Sequence, residues 1–129
     1  MRRVFKTREF ARWTTKAGLF DAALCTAVEE MTNGLIDAEL GGGVVKKRVA
    51  LPGRGKSGST RTLVATNRGS RWYFVFGFEK NERDNIDAAE LAALKRLARD
   101  LLKLTDSELN RAVEQDVLKE ICHGKHKTH

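Results

Sequence analysis

Residues 44–83, VVKKRVALPGRGKSGSTRTLVATNRGSRWYFVFGFEKNER, carry three extended patterns in succession. In residues 44–51, Val45, Val49 and Leu51 share one face of a strand, interrupted by Lys47. Lys46 and Arg48 share the other face with Val44 and Ala50. Residues 52–59 hold the only proline with three glycines and two serines, which predicts a loop. Residues 60–66 are rich in β-branched side chains. Asn67, Arg68, Gly69 and Ser70 then make a turn, so a hairpin is expected. Trp72, Phe74, Phe76 and Phe78 alternate on one face, with Tyr73 and Val75 on the other, the pattern of a central strand covered on both sides.

Helical periodicity surrounds this sheet. Residues 2–5 suit a short first strand. From Thr7, Phe10, Trp13 and Ala17 fall on one helical face, and Gly18 suits the residue after a helix. Asp21 is a candidate N-cap for a second helix, where Leu24, Val28 and Met31 recur before Asn33 and Gly34 stop it. Three glycines, Gly41 to Gly43, allow a sharp turn into the sheet. On the far side, Asp87 with Glu90 and Thr105 with Glu108 have the spacing of capping boxes. The first opens a helix with Leu91, Leu94, Ala98 and Leu101 on one stripe. The second opens a helix expected to run through Leu109, Val113, Val117 and Ile121. The reading is a single α+β domain over residues 1–121: an N-terminal helical hairpin on a small antiparallel sheet, then C-terminal helices. Residues 122–129 are read as a disordered tail.

The net charge is +7, and its distribution is uneven. Residues 44–83 hold ten Lys/Arg against Glu79 and Glu82, a local +8. The residues before them sum to 0 and those after to −1. A basic sheet of this kind suits a polyanionic partner, because clustered cations neutralise phosphates and release counterions. No apolar run is long enough to span a membrane, and the basic start MRRVFKTREF has no apolar stretch behind it, so neither membrane insertion nor secretion is expected. Cys25 and Cys122 stand far apart in sequence, and a cytoplasmic protein with two reduced thiols is the simplest expectation.

Several chemistries fail on the residues. A P-loop would place its first glycine at position 50, where Ala50 stands, and strand rather than helix follows Ser57. His123, His126 and His129 lie beside Cys122 in a terminal tail that offers no framework for a metal site. Two acids among ten bases do not make a two-metal nuclease. No metal and no cofactor is expected. RNA cleavage, by contrast, can proceed by attack of the 2′-hydroxyl on the neighbouring phosphate, with Arg and Lys stabilising the charge of the phosphorane. Lysine can also exchange the protons where like charges lower its pKa. Lys46, Lys47, Arg48, Lys56, Arg61, Lys80 and Arg83 converge if their strands are neighbours. On spacing alone, a solvated basic face that binds nucleic acid without cutting it is the better-supported reading. Tyr73, opposite the phenylalanine face, is the candidate base-stacking residue.

Lys80, Asn81, Glu82 and Arg83 after the aromatic strand, with residues 58–61 opening the strand before it, resemble the RelE/HigB-type toxins of type II toxin–antitoxin modules. The resemblance covers roughly residues 5–105. It implies a compact RelE-like α+β fold, cleavage of mRNA at the ribosome, and neutralisation by a cognate antitoxin, expected to be a HigA-like helix-turn-helix protein. Carried over position by position, it implies catalytic roles for Arg61, Lys80 and Arg83. RNA-binding roles fall to Lys46 and Arg48; Lys56, on a loop longer than the family's, and Tyr73, from the strand pattern, are added to them. Asn81 stands where the family's run has its catalytic arginine, and Asp87 where the family has a tyrosine, so Lys56, Lys80 or Arg83 would have to substitute. Two other classes remain open: a ParE-like toxin that poisons DNA gyrase by binding it, and a non-catalytic nucleic-acid-binding module.

Overall fold

The computed structural model describes residues 2–51 and 59–122. The elements run β1 (Arg3–Thr7), α1 (Arg8–Ala17), α2 (Asp21–Thr32), β2 (Ala38–Gly41), β3 (Val44–Ala50), β4 (Ser59–Thr66), β5 (Arg71–Glu79), α3 (Ala88–Leu102), α4 (Asp106–Glu114) and β6 (Leu118–Ile121). One six-stranded sheet has the order β2-β3-β4-β5-β1-β6. Its pairings are antiparallel except β1 with β5, which is parallel. The architecture is α+β and consistent with a RelE-like fold.

The sheet separates two apolar layers. On the first face, Phe10, Leu24, Val28 and Met31 of α1 and α2 pack on Val45, Val49, Val64, Trp72 and Phe74. On the second, Ala98, Leu101 and Leu109 of α3 and α4 pack on Phe5, Val44, Leu63, Ala65 and Tyr73. Helix boundaries follow local chemistry. The Thr7 side chain accepts from the Phe10 amide, and Gly18 closes α1 with φ of +76°. Both expected capping boxes form, at Asp87 with Glu90 and at Thr105 with Glu108.

Lys47 keeps the apolar register of β3 by being neutralised inside it. Its Nζ donates to the Leu35 carbonyl at 2.9 Å and pairs with Glu30 at 2.9 Å. Both requirements of a buried ammonium, a counter-charge and hydrogen bonds, are met.

Five sequence expectations are corrected. Tyr73 is fully buried, stacked on Phe5, with its hydroxyl donating to the Leu101 carbonyl at 2.9 Å, so it offers no platform for a base. Burial pushes its pKa up. Phe76 leaves the face of Trp72 and Phe74. Leu63 pairs with Phe76 and Val64 with Phe74, so Val75 is an extra residue on β5, a β-bulge that turns Phe76 to the second face. Gly77 then meets Trp13 on the first face, where a Cβ would lie 2.4 Å from the indole. The last helix stops at Glu114. Leu118 and Ile121, three residues apart, serve opposite faces of the sheet, as strand geometry demands, and β6 pairs with β1. Asp21 is the first residue of α2 rather than its cap; its carboxylate takes an ion pair from Lys6 at 2.7 Å. Cys25 and Cys122 are joined in a disulfide, with Cα atoms 5.5 Å apart, because β6 carries the chain back to α2.

Strand β2 is an addition that the glycine-rich sequence concealed. Gly41, Gly42 and Gly43 all have positive φ, and they form the tight return of a β2–β3 hairpin. Arg3 secures the other edge, binding Glu120 of β6 through Nε at 2.9 Å and Nη2 at 2.8 Å. Among the described residues, no helix is long and apolar enough to cross a membrane.

Candidate nucleic-acid interface

Among the described residues, helices cover the second face of the sheet at only one end. Helices α3 and α4 lie over Val44, Ala65 and Tyr73. Toward the β3–β4 connection, this face carries Lys46, Arg48 and Arg61 beside Phe76 and the buried Phe78. The ladder fixes who stands there. Arg48 is directly opposite Arg61, and Arg61 is directly opposite Phe78. One rung further in, Lys46 faces Leu63, which faces Phe76. Side chains in directly paired positions share a face, with Cβ atoms about 5 Å apart. Arg48 is exposed, and Lys46 and Arg61 are half-buried.

This arrangement concentrates uncompensated charge. Like charges directly opposite one another destabilise a sheet. Yet neither Lys46, Arg48 nor Arg61 has a salt bridge among the described residues; Arg61 makes one polar contact there, donating from Nη1 to the Ser59 hydroxyl at 3.1 Å. An anion entering between them would relieve that repulsion.

Arg83 completes the row from the other side. Its guanidinium carbon lies 5.6 Å from the Phe76 ring centroid and 5.8 Å from that of Phe78. Its Nη1 donates to Glu90 Oε1 at 2.6 Å. That bond, with a hydrogen bond from the Asp87 backbone, holds the Glu90 carboxyl below the usual carboxylate range and raises Arg83 in turn. Glu90 is itself fixed by the capping box of α3, so helix α3 aims Arg83 at the aromatic pair. The bulge at Val75 makes this possible, since it turns both Phe76 and Phe78 from the face of Trp72 and Phe74 to the second face.

The candidate residues are thus partly gathered. Lys46, Arg48, Arg61 and Arg83 share the open end of one face. Lys80 is exposed in the turn just past β5, two residues beyond Phe78. Lys56 lies outside the described residues, as do His123, His126 and His129. Asn81 is exposed, and the Asp87 carboxylate is committed to the Glu90 amide at 2.8 Å. Sequence reading missed Phe76, Phe78 and Glu90 as parts of this surface. The aromatics looked like uniform core because a bulge leaves no mark on alternation, and Glu90 was legible only as a capping residue. At the free edge of β3, Arg48 also lines a cleft of about 520 Å³ with Ala23, Ala27 and Glu30 of α2.

No curated protein matches the chain. The family described as "RelE toxin of RelE / RelB toxin-antitoxin system" matches residues 2–121, nearly all of it, and the protein therefore belongs to the RelE family of toxins from toxin–antitoxin systems.

Proposed function

We propose that this RelE-family toxin is a metal-independent endoribonuclease that inhibits translation by cutting mRNA at the ribosome. The observation that carries the reading is the Arg48–Arg61 pair, two cations set opposite one another and unpaired among the described residues, with Lys46 and Arg83 beside them. In this reading, an RNA strand lies along the open face with one phosphate between Arg48 and Arg61. The 2′-hydroxyl loses its proton and its oxygen bonds to phosphorus. The phosphorane carries additional negative charge, which the guanidinium groups stabilise. The bond to the 5′-oxygen then breaks and that oxygen takes up a proton, leaving a 2′,3′-cyclic phosphate and a 5′-hydroxyl end. A divalent cation entering here would meet the charges of Lys46, Arg48 and Arg61, unpaired among the described residues, which is why the chemistry is assigned to side chains.

Arg61 is assigned the scissile phosphate. Lys80 and Arg83 are assigned the leaving side, beyond Phe78. Lys46, Arg48 and Lys56 hold the strand. Phe76, half-buried and with Arg83 stacked above it, replaces Tyr73 as the aromatic contribution, while Phe78 is buried beneath Arg83. Membership of the family brings an antitoxin as partner. We assign that partner to the small helix-turn-helix class, which co-purification with the product of the neighbouring open reading frame would test.

Mapping mRNA 5′ ends after induction, in translating cells and on purified RNA, tests the whole reading. New 5′-hydroxyl ends that vanish with Arg61→Ala support it. Growth arrest without such ends, accompanied by binding to DNA gyrase, would replace it with a gyrase-poisoning role. Salt-dependent RNA binding without cleavage would reduce it to a binding module.

A further inference from the structure

The near-neutral sum of the C-terminal third hides a local imbalance. Between residues 95 and 103, Lys95, Arg96, Arg99 and Lys103 face only one acid, Asp100. Lys95, Arg99 and Lys103 recur at intervals of four, so they form one line on α3, about 12 Å long at the helical rise. All four cations line an open cleft of about 530 Å³ with Gly42, Gly43 and Leu102. None of them has a salt bridge among the described residues. Cations near a helix C-terminus complement the macrodipole, which accounts for Arg99 and Lys103 but not for Lys95, about two turns further in.

The glycine turn explains how Lys95 is held. Its stem lies on the backbone of the β2–β3 return: a Cβ on Gly42 would sit 3.0 Å from Lys95 Cγ, and one on Gly41 would sit 3.4 Å from its Nζ. The ammonium therefore lies toward Gly41. Gly41 pairs with Val44, and Lys46 is two residues along β3 on the same face, about 7 Å away at the strand rise. The line on α3 thus continues the row of Arg61, Arg48 and Lys46 away from the open end, toward the β2–β3 turn at the helix-covered end of the sheet.

We propose that the α3 ridge of Lys95, Arg96, Arg99 and Lys103, with the Gly42–Gly43 turn, is a phosphate-binding track for an RNA strand running from the candidate site. The proposal rests on the nuclease reading for the identity of the strand. Continuity with the phosphate-stabilising row favours a nucleic-acid backbone over an acidic protein segment. So does the lining, in which Leu102 is the one large apolar side chain, whereas protein partners anchor on apolar and aromatic contacts.

The test uses the full-length protein and 2′-O-methylated RNA, which cannot cyclise, so affinity is read independently of cleavage. Strands of about four and about sixteen nucleotides are compared by fluorescence anisotropy over a salt series. The K95Q/R99Q/K103Q variant is expected to flatten the log–log salt slope by about 2 on the long strand and to leave the short strand unchanged. The R96Q/K103Q variant, altered only at exposed positions, is expected to flatten it by about 1.4. An unchanged slope on the long strand, or equal losses on both strands, overturns the track. Wild-type RNA binding with lost affinity for polyglutamate assigns the ridge to a protein partner instead. If mRNA on translating ribosomes is not cut by the wild-type protein while the long-strand effect persists, the nuclease reading fails and the track stands.

Discussion

Arg48 and Arg61 face each other across the β3–β4 ladder, with no counter-ion among the described residues. Such a pair stores repulsion that, in the proposed reading, a bound phosphate would relieve. Arg61→Ala is expected to lower single-turnover RNA cleavage by about 10²- to 10³-fold, the usual effect of removing one donor to a developing oxyanion. Removing one of two opposed cations is also expected to raise stability slightly, by about 0.2–1 kcal/mol. Cleavage assays and urea melts on the same samples check both signs together. A loss of activity accompanied by a loss of stability would mean that Arg61 serves the fold rather than the site.

Arg83 and Glu90 give a pH prediction. The Glu90 carboxyl is held below the ordinary range, first by Arg83 and then by the Asp87 backbone. A carboxylate with a lowered folded-state pKa contributes stability that is present above the unfolded value and lost as pH falls through the folded one. The Arg83–Glu90 contribution is therefore expected to be intact at neutral pH and to disappear only below the usual carboxylate range. In Arg83→Gln, NMR titration should show the Glu90 carboxyl moving back up toward its ordinary value. An unchanged titration would show that the pair does not form in solution.

Gly77 is fixed by a close approach rather than by its backbone angles. Gly77→Ala would drive a Cβ to within 2.4–2.7 Å of three indole atoms of Trp13. Overpacking of this kind is expected to cost about 1–3 kcal/mol in denaturant unfolding. The double change Gly77→Ala with Trp13→Leu should recover part of that cost. Additive destabilisation in the double variant would argue against the contact.

The disulfide between Cys25 and Cys122 closes a loop with a sequence separation of 97 residues. In the chain-entropy picture a loop of that length stabilises by about 4–5 kcal/mol. Intact mass under non-reducing conditions should be two hydrogens lower than after reduction, and Cys122→Ser should lower the melting temperature. Because β6 is otherwise a four-residue edge strand, hydrogen exchange in the variant is expected to rise first at Leu118–Ile121.

Much of the fold was legible because it is local. Capping boxes at Asp87 and Thr105, the glycine closing α1 and the Asn67–Ser70 turn are each specified within four or five residues. The faces of β3 followed from alternation, so Lys46 and Arg48 were correctly set apart from Val45 and Val49. The charge pattern placed a basic surface on the sheet before any contact was known.

What tertiary structure decided are the relationships between distant residues. Helical and extended readings compete over Val117 to Ile121, and only the vacant edge of β1 settles them as β6. That same strand brings Cys122 to Cys25. The bulge at Val75 adds one residue between paired positions, which alternation along a single strand cannot register, and with it Phe76 passes beneath Arg83. Tyr73 is buried because α3 closes over its end of the sheet, a packing event set by Leu101 28 residues later. The sequence by itself determined the elements, their amphipathic faces and the charge of the sheet, because propensity and periodicity act between neighbours. Which cations stand opposite one another, and which aromatic rings lie beneath them, depended on strand register and on the helices that leave one end of the sheet open.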